Sequence, residues 1–223
     1  MDEKSRSAIT PERLQELTRI LQKYKTGKAH LERRVVSAEN WWKLRNSSEE
    51  LRTTGLDDGG FRSRSGWLHN VIVSKHADAM EAYPEPNILP REPGDREEAR
   101  MLSSIVPVVM EQNLFEDTYC DAMWQKLKTG TGVYKVTWDA DKLGGLGDIA
   151  IERVDLLNIF WEPGVSDIQD SRYIYHTALH DNDILEKRYP QLEGKLKGSP
   201  FTATKFLYDD AVDTSGKTTV IDC

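Results

Sequence analysis

The chain has little of what membrane-spanning or disulfide-linked proteins need. Its main apolar run, residues 105–110, includes a proline, whereas a membrane-spanning helix needs about 20 apolar residues. No apolar segment follows Met1, so we expect no secretory signal. Its 2 cysteines, Cys120 and Cys223, cannot build a disulfide framework. With 38% hydrophobic and 30% charged residues among 223, the composition predicts a soluble, mixed α/β protein of a reducing compartment.

Charge is distributed unevenly along the sequence. The formal net charge is −7, from 30 basic and 37 acidic residues. Residues 1–60 carry 12 basic and 10 acidic side chains, and residues 4–45 carry 11 against 4. Such a stretch is typical of a solvated helix face, and it also occurs where proteins bind nucleic acids or acidic partners. Both interpretations stay open, although an acidic chain is not expected to wrap duplex DNA with its whole surface.

The first part of the chain has apolar residues at helical spacing. Thr10 and Pro11 are typical of a helix start. We expect Gly27 to interrupt the pattern, so that one helix ends near residue 24 and a second covers residues 31–42. A glycine-rich loop is predicted over residues 53–66.

Two further helices are predicted before the strands begin. The first covers residues 67–83 and ends where prolines follow. The second begins at Asp95, whose carboxylate is expected to cap the first turn, and continues to Leu127. Pro107 lies inside this long helix and should kink it or split it in two.

After Gly130 the apolar period changes from 3.6 residues to two, which is typical of strands. Residues 133–138 and 149–151 alternate in this way around a glycine-rich turn, so we predict a hairpin. The remaining predicted elements are a strand, a short helix and a second strand: 172–177, 181–189 and 218–222.

These elements predict an α+β fold, with N-terminal helices and a long kinked helix packed on a small, mostly antiparallel sheet. We divide the chain into a basic helical region, residues 1–60, and an α+β domain, residues 61–223. The strand pattern at residues 218–222 runs to the chain end without a capping segment. We therefore expect the reading frame to continue beyond Cys223.

One segment formally matches a relaxed phosphate-binding loop, residues 211–218. That chemistry needs a helix after the loop, so that backbone N–H groups surround a phosphate. Only five residues follow Thr218, and three of them are β-branched. We interpret the segment as a hairpin turn followed by a strand from Lys217 onward, and we expect no nucleotide binding.

Two other patterns resemble metal sites. Asp139 and Asp141 begin like a calcium loop, but Ala150 stands where that loop needs a bidentate glutamate. His176 and His180 have the spacing that zinc ligands use on a helix, but His176 falls in a strand pattern. We therefore expect no metal-binding, cofactor-binding or catalytic residues.

The 6 tryptophans are a high count for this length. Trp41 and Trp42 lie where aromatic and basic residues interleave, so a single-strand stacking site is an alternative there. Cys120 lies on an apolar helix stripe and is interpreted as a small core residue. The other four tryptophans are interpreted as core or interface anchors: Trp67, Trp124, Trp138 and Trp161.

Several segments in a fixed order resemble a known family. They are Thr-Gly-Thr-Gly-Val-Tyr-Lys-Val-Thr-Trp-Asp at 129–139, Gly-Asp-Ile-Ala-Ile-Glu-Arg-Val-Asp at 147–155, Asn-Ile-Phe-Trp-Glu-Pro-Gly at 158–164 and Asp-Ile-Gln-Asp-Ser-Arg-Tyr at 167–173. A short helix ending in Arg-Tyr-Pro follows at 188–190. With the helices before them, these segments resemble the portal (head-to-tail connector) proteins of tailed bacteriophages over most of residues 30–222.

The resemblance implies a structural role and no enzymatic activity. Portal subunits form a ring of about twelve copies around a channel for double-stranded DNA at a capsid vertex. The implied partners are other copies of the chain, the phage DNA, the terminase packaging motor, and capsid and tail adaptor proteins, with no membrane. The implied location is the virion, and the host cytoplasm during assembly. Because portal chains are generally longer, this chain would hold the outer wing region.

The alternative function is a nucleic-acid-binding module that uses the basic N-terminal helices. An ATP-dependent enzyme built on Gly216, Lys217 and Thr218 is disfavoured by the missing helix. We expect the 223-residue chain alone to be monomeric or weakly self-associating, since stable ring contacts need well above about 1,000 Å². The apolar residues expected to be exposed are Trp41, Trp42, Phe160 and Trp161.

Overall fold

The computed structural model describes residues 10–44, 66–196 and 216–223. The described helices are α1 (Pro11–Trp42), α2 (Trp67–Glu81), α3 (Arg96–Gln112), α4 (Phe115–Thr129) and α5 (Asn182–Arg188). The described strands are β1 (Val133–Asp139), β2 (Asp148–Val154), β3 (Ile159–Phe160), β4 (Tyr175–Asp181) and β5 (Lys217–Asp222). They form two antiparallel sheets, β1–β2 and β3–β4–β5. The predicted α+β class is confirmed.

The chain divides into two compact units. Unit 1 consists of residues 1–36 and 157–223, and unit 2 of residues 37–156. The predicted boundary between residues 60 and 61 lies outside the described residues, and so does the predicted glycine-rich loop up to residue 65.

Helix α1 begins as predicted but is not interrupted. The Thr10 hydroxyl accepts a hydrogen bond from the Arg13 N–H at 3.3 Å, as an N-cap does. The prediction that Gly27 divides the helix is wrong, because α1 is continuous from Pro11 to Trp42. A Cβ atom on residue 27 would lie 2.5 Å from Cγ of Pro163. Glycine therefore lets Pro163 approach the helix, and it does not end the helix.

The core of unit 1 joins α1 to the three-stranded sheet. Phe160 is fully buried, and it clusters with Leu21, Tyr24 and Tyr175. The expectation that Phe160 is exposed is therefore wrong: β3 places its ring under the helix. The Tyr24 and Tyr175 rings meet edge to face with centroids 5.8 Å apart, and the Tyr175 hydroxyl donates to the Leu17 carbonyl at 3.1 Å. Burial is the main cause that raises the pKa of Tyr175 above its ordinary value.

The long helix predicted from Asp95 to Leu127 is two helices, and the break is not at Pro107. Pro107 lies inside the continuous helix α3. The chain turns instead at Leu114, which has a left-handed backbone with φ of 49°. The Asn113 backbone N–H and side chain both donate to the Val109 carbonyl, at 3.2 Å and 2.7 Å, in the last turn of α3.

Two local predictions also need correction. The Asp95 carboxylate accepts from the N–H of Glu92 at 3.2 Å, so it does not cap the first turn of α3. A strand was predicted over residues 172–177. The observed strand, β4, covers Tyr175–Asp181 and therefore begins and ends later in the chain. The predicted hairpin is confirmed, with Val133 opposite Val154 and Asp139 opposite Asp148.

Candidate assembly surfaces

The first candidate surface is an apolar stripe on α3 in unit 2, made of Met101, Leu102, Ile105 and Val108. These four side chains are between 48% and 58% exposed. Their spacing puts them along one side of the helix. Another side of the same helix is already packed inside the unit, where Ala99 is buried. The apolar surface of α3 is thus wider than the part that is buried in unit 2. Such an excess of exposed apolar surface is typical of a site that contacts another molecule.

A groove of 480 Å³ lies where α3 meets α4, on a different side of α3 from the stripe. Its floor is apolar and aromatic, with Tyr83, Met110 and Phe115, and its rim is acidic, with Glu111 and Glu116. Burial raises the pKa of the Tyr83 hydroxyl, and the negative charge of Glu116 raises it further. The hydroxyl therefore stays protonated at physiological pH.

The second candidate surface is the outward part of β1, where Val136 and Trp138 are each 65% exposed. Trp138 lies over Gly147: a Cβ atom on residue 147 would be 2.6 Å from the indole nitrogen. Gly147 also has a φ of +81°, which side chains disfavour. Tyr134, on the same side of the strand, contacts the Phe115 ring with centroids 5.7 Å apart. The turn and α4 thus hold an aromatic and aliphatic surface open to solvent.

Inside unit 2, four aromatic rings in mutual contact link the end of α1 to α2 and α4. Trp42 stacks on His69 at 4.1 Å and contacts Trp124 at 5.4 Å, while Trp124 stacks on His76 at 3.9 Å. The Trp42 and Trp124 rings are therefore engaged in packing, which disfavours a base-stacking role for Trp42. Trp41 is 45% exposed, as expected.

Buried polar groups accompany this stack. Glu39 is almost fully buried and forms ion pairs with Lys128 at 3.1 Å and Lys43 at 3.7 Å. The Cys120 thiol lies 3.5 Å from His76 Nε2. Burial raises the pKa of this thiol, and nearby carboxylates raise it further, led by Asp121. Cys120 is thus a partly buried side chain with a lowered thiolate fraction, close to the predicted core role.

The basic side chains of α1 in unit 1 are partly used for packing. Lys28 is buried, donates to the Ile159 carbonyl at 2.6 Å, and lies 4.2 Å from the centre of the Phe160 ring. Arg13 bonds Glu16 at 2.6 Å and Tyr173 at 2.8 Å. These contacts reduce the charge available for phosphates. Nucleic-acid binding by residues 1–60 stays a prediction.

A mixed-charge cleft lies beside these residues in unit 1. It has a volume of 460 Å³ and is lined by both basic and acidic side chains, among them Arg19, Lys23, Arg172, Glu16 and Glu162. Arg172 and Glu162 approach to 3.8 Å. The two glutamates offset two of the three basic side chains, so the cleft keeps only a small excess of positive charge.

The segment that resembles a phosphate-binding loop ends in a strand, as predicted. Lys217 begins β5 and pairs with Asp181 at 3.3 Å, and the Thr218 hydroxyl donates to the Asn182 side chain at 2.7 Å. Both side chains are thus used within the three-stranded sheet. The proposed turn, residues 213–216, lies outside the described part of the chain except for Gly216.

The residues of the metal-like patterns have ordinary structural contacts. The Asp139 carboxylate accepts from the Asp141 N–H at 3.0 Å, which is a turn contact. His176 and His180 both lie on β4, about 13 Å apart by the rise of a strand. That separation is too long for a shared ion. In residues 10–44, 66–196 and 216–223, no group of three or more metal-ligating side chains is present.

Sequence reasoning missed the stripe on α3. It included these residues in the long helix predicted from Asp95 to Leu127 but predicted no exposed surface there. A signal was present, since apolar residues on α3 occupy more than one helix face, whereas packing on one neighbour needs a single stripe. Trp67 and Trp138 were interpreted as core or interface anchors, and their exposures of 76% and 65% favour the interface.

A family model described as phage P22-like portal protein matches residues 77–220. No curated protein matches the chain. In the part of the chain that the model describes, no helix is long and apolar enough to cross a membrane.

Proposed function

The chain belongs to the family of phage P22-like portal proteins, and from this premise we propose that it is a subunit of the ring that forms the DNA passage at a capsid vertex. The observation that carries the proposal is the family match over residues 77–220. The family is structural, so we propose no catalytic role and no cofactor. The proposed partners are other copies in a ring of about twelve, phage DNA, the terminase motor, and capsid and tail adaptor proteins. The proposed locations are the virion and, during assembly, the host cytoplasm.

The two exposed apolar surfaces of unit 2 support a role in assembly. In a ring, one surface of each subunit contacts a different surface of its neighbour. The α3 stripe is a row of aliphatic and methionine side chains on a helix, whereas the β1 surface is an aromatic patch on a sheet. Two surfaces of different shape are what a head-to-tail contact requires.

A complementation experiment tests this function. A phage lacking this gene is supplied with the protein from a plasmid, and the yield of DNA-filled capsids is measured. We expect Ile105→Glu to reduce the yield at least about tenfold, because a carboxylate buried in a contact costs several kcal/mol. The matched control is Ser104→Glu, which adds the same group at the neighbouring, exposed position beside the stripe.

Three results would count against the proposal. If the phage without the gene forms normal DNA-filled capsids, the protein is not its portal. If the protein is absent from capsids that contain DNA, it is not a virion component. If both glutamate variants complement equally well, the stripe on α3 takes no part in assembly.

A further inference from the structure

The two-stranded sheet of unit 2 has one covered edge. The Asn113 side chain donates to the Ile149 carbonyl at 3.1 Å and accepts from the Ile151 N–H at 3.3 Å. Lys142 Nζ also donates to the Ile149 carbonyl, at 3.0 Å. These side chains thus satisfy the Ile149 carbonyl and the Ile151 N–H, two of the backbone groups of β2 that point away from β1.

The same contacts show which groups of β1 point away from β2. In an antiparallel pair, residues that face each other alternate between hydrogen-bonded and non-hydrogen-bonded pairs. Ile149 and Ile151 point outward, so their partners Trp138 and Val136 belong to non-hydrogen-bonded pairs. The N–H and C=O groups of Val136 and Trp138 therefore point to the other edge of the sheet. Among the described residues, no backbone group bonds them there.

This outer edge of β1 lacks most of the usual protection against pairing, although the strand carries the charged residues Lys135 and Asp139. Native edge strands are protected by proline, bulges, short length or charged side chains. β1 has 7 residues, pairs with β2 without a bulge and contains no proline. Its one lysine, Lys135, projects to the opposite face from Val136 and Trp138. A sheet of two strands is also marginally stable without a third strand or further packing.

We propose that the outer edge of β1 is a strand-addition site that takes an extended segment of a second copy of this chain. The inference rests on the proposed function, in which every subunit has a neighbour of its own kind. Each subunit has one such edge. In a ring, each subunit also has one neighbouring copy on that side, so every edge has one donor. The donor segment is not β1, because β1–β1 pairing is two-fold symmetric and stops at a dimer. Val136 and Trp138 favour a donor with apolar residues on the matching face.

Substitutions at one position separate the backbone edge from the side chain. Val136→Pro removes an N–H that points outward, so the β1–β2 ladder keeps its bonds. Val136→Thr keeps the N–H and the β-branched shape. In the complementation system, we expect Val136→Pro to lower incorporation into capsids at least tenfold and Val136→Thr to leave it within about threefold. Equal incorporation of the two variants would overturn the proposal while leaving the portal function intact. Absence of the wild-type protein from capsids would instead overturn the function itself.

Hydrogen exchange on the wild-type protein gives a second readout that does not depend on the folding of a variant. In the dissociated subunit, the Val136 and Trp138 amides should exchange quickly, and the Lys135 and Thr137 amides slowly, because the latter bond β2. In particles purified from phage, we expect the Val136 and Trp138 amides to slow at least tenfold. Exchange as fast as in the dissociated subunit, or particles that are only dimers of this chain, would overturn the proposal.

Discussion

Replacing Gly27 with alanine should destabilise unit 1, although alanine is the better helix former. Gly27 lies inside α1, and an ideal Cβ on it would be 2.5 Å from Cγ and 3.0 Å from Cβ of Pro163. The proline ring closes on its own backbone, so these atoms cannot rotate away. Either α1 or the segment around Pro163 has to move.

The magnitude follows from two opposing effects. In an unobstructed helix interior, Gly→Ala gains about 1 kcal/mol, whereas overpacking costs about 1–3 kcal/mol. The net change should therefore be a loss of up to about 2 kcal/mol. Pro163→Gly removes both ring atoms, so in that background Gly27→Ala should gain about 1 kcal/mol. The coupling energy between the two positions is then about 1–3 kcal/mol.

Urea unfolding of the wild type, both single variants and the double variant measures this coupling. Thr26→Ala is the matched control, because residue 26 is an exposed neighbour in the same helix, and it should change stability by less than about 1 kcal/mol. If Gly27→Ala stabilises the protein by about 1 kcal/mol in both backgrounds, Pro163 does not press on α1 and the reasoning fails.

Other predictions concern buried groups. Phe160→Ala should cost about 3–5 kcal/mol of stability in urea unfolding, and Phe160→Leu clearly less; equal small losses would contradict a buried ring. Cys120 has a raised pKa and Cys223 is exposed, so a thiol reagent at pH 8 should show a slow and a fast phase, and Cys223→Ser should remove the fast one. The pKa of Tyr175 is raised by burial, so its stabilising contribution is complete below pH 10 and declines as the pH rises further. The loss of unfolding free energy from pH 9 to pH 11 should be smaller in Tyr175→Phe, and an equal loss would contradict this.

Local sequence patterns predicted an element correctly where neighbouring residues alone determine it. The hairpin follows from alternating residues around a glycine-rich turn, and the start of α1 follows from Thr10 and Pro11. Gly27 was misjudged because its role depends on Pro163, which is far away in sequence. The split near Pro107 was misplaced because a helix tolerates proline where tertiary packing holds it, while Leu114 takes the left-handed turn.

Surfaces were harder to predict than elements. Phe160 and Trp138 both lie in strand-like patterns, yet one is fully buried and the other 65% exposed. The difference arises from what covers each strand, which period alone does not encode. The family, in contrast, was accessible from the order of several short segments, and the match over residues 77–220 confirms it.

The most direct test of the portal assignment is the position of the protein in the virion. A portal ring occupies one vertex of the capsid. Antibodies raised against residues 66–156 should therefore label a single vertex when the capsids are opened at that vertex. In particles with tails, this should be the vertex that bears the tail. Label on all vertices would contradict the assignment. Gene product found in DNA-filled capsids at positions other than a vertex would also contradict it.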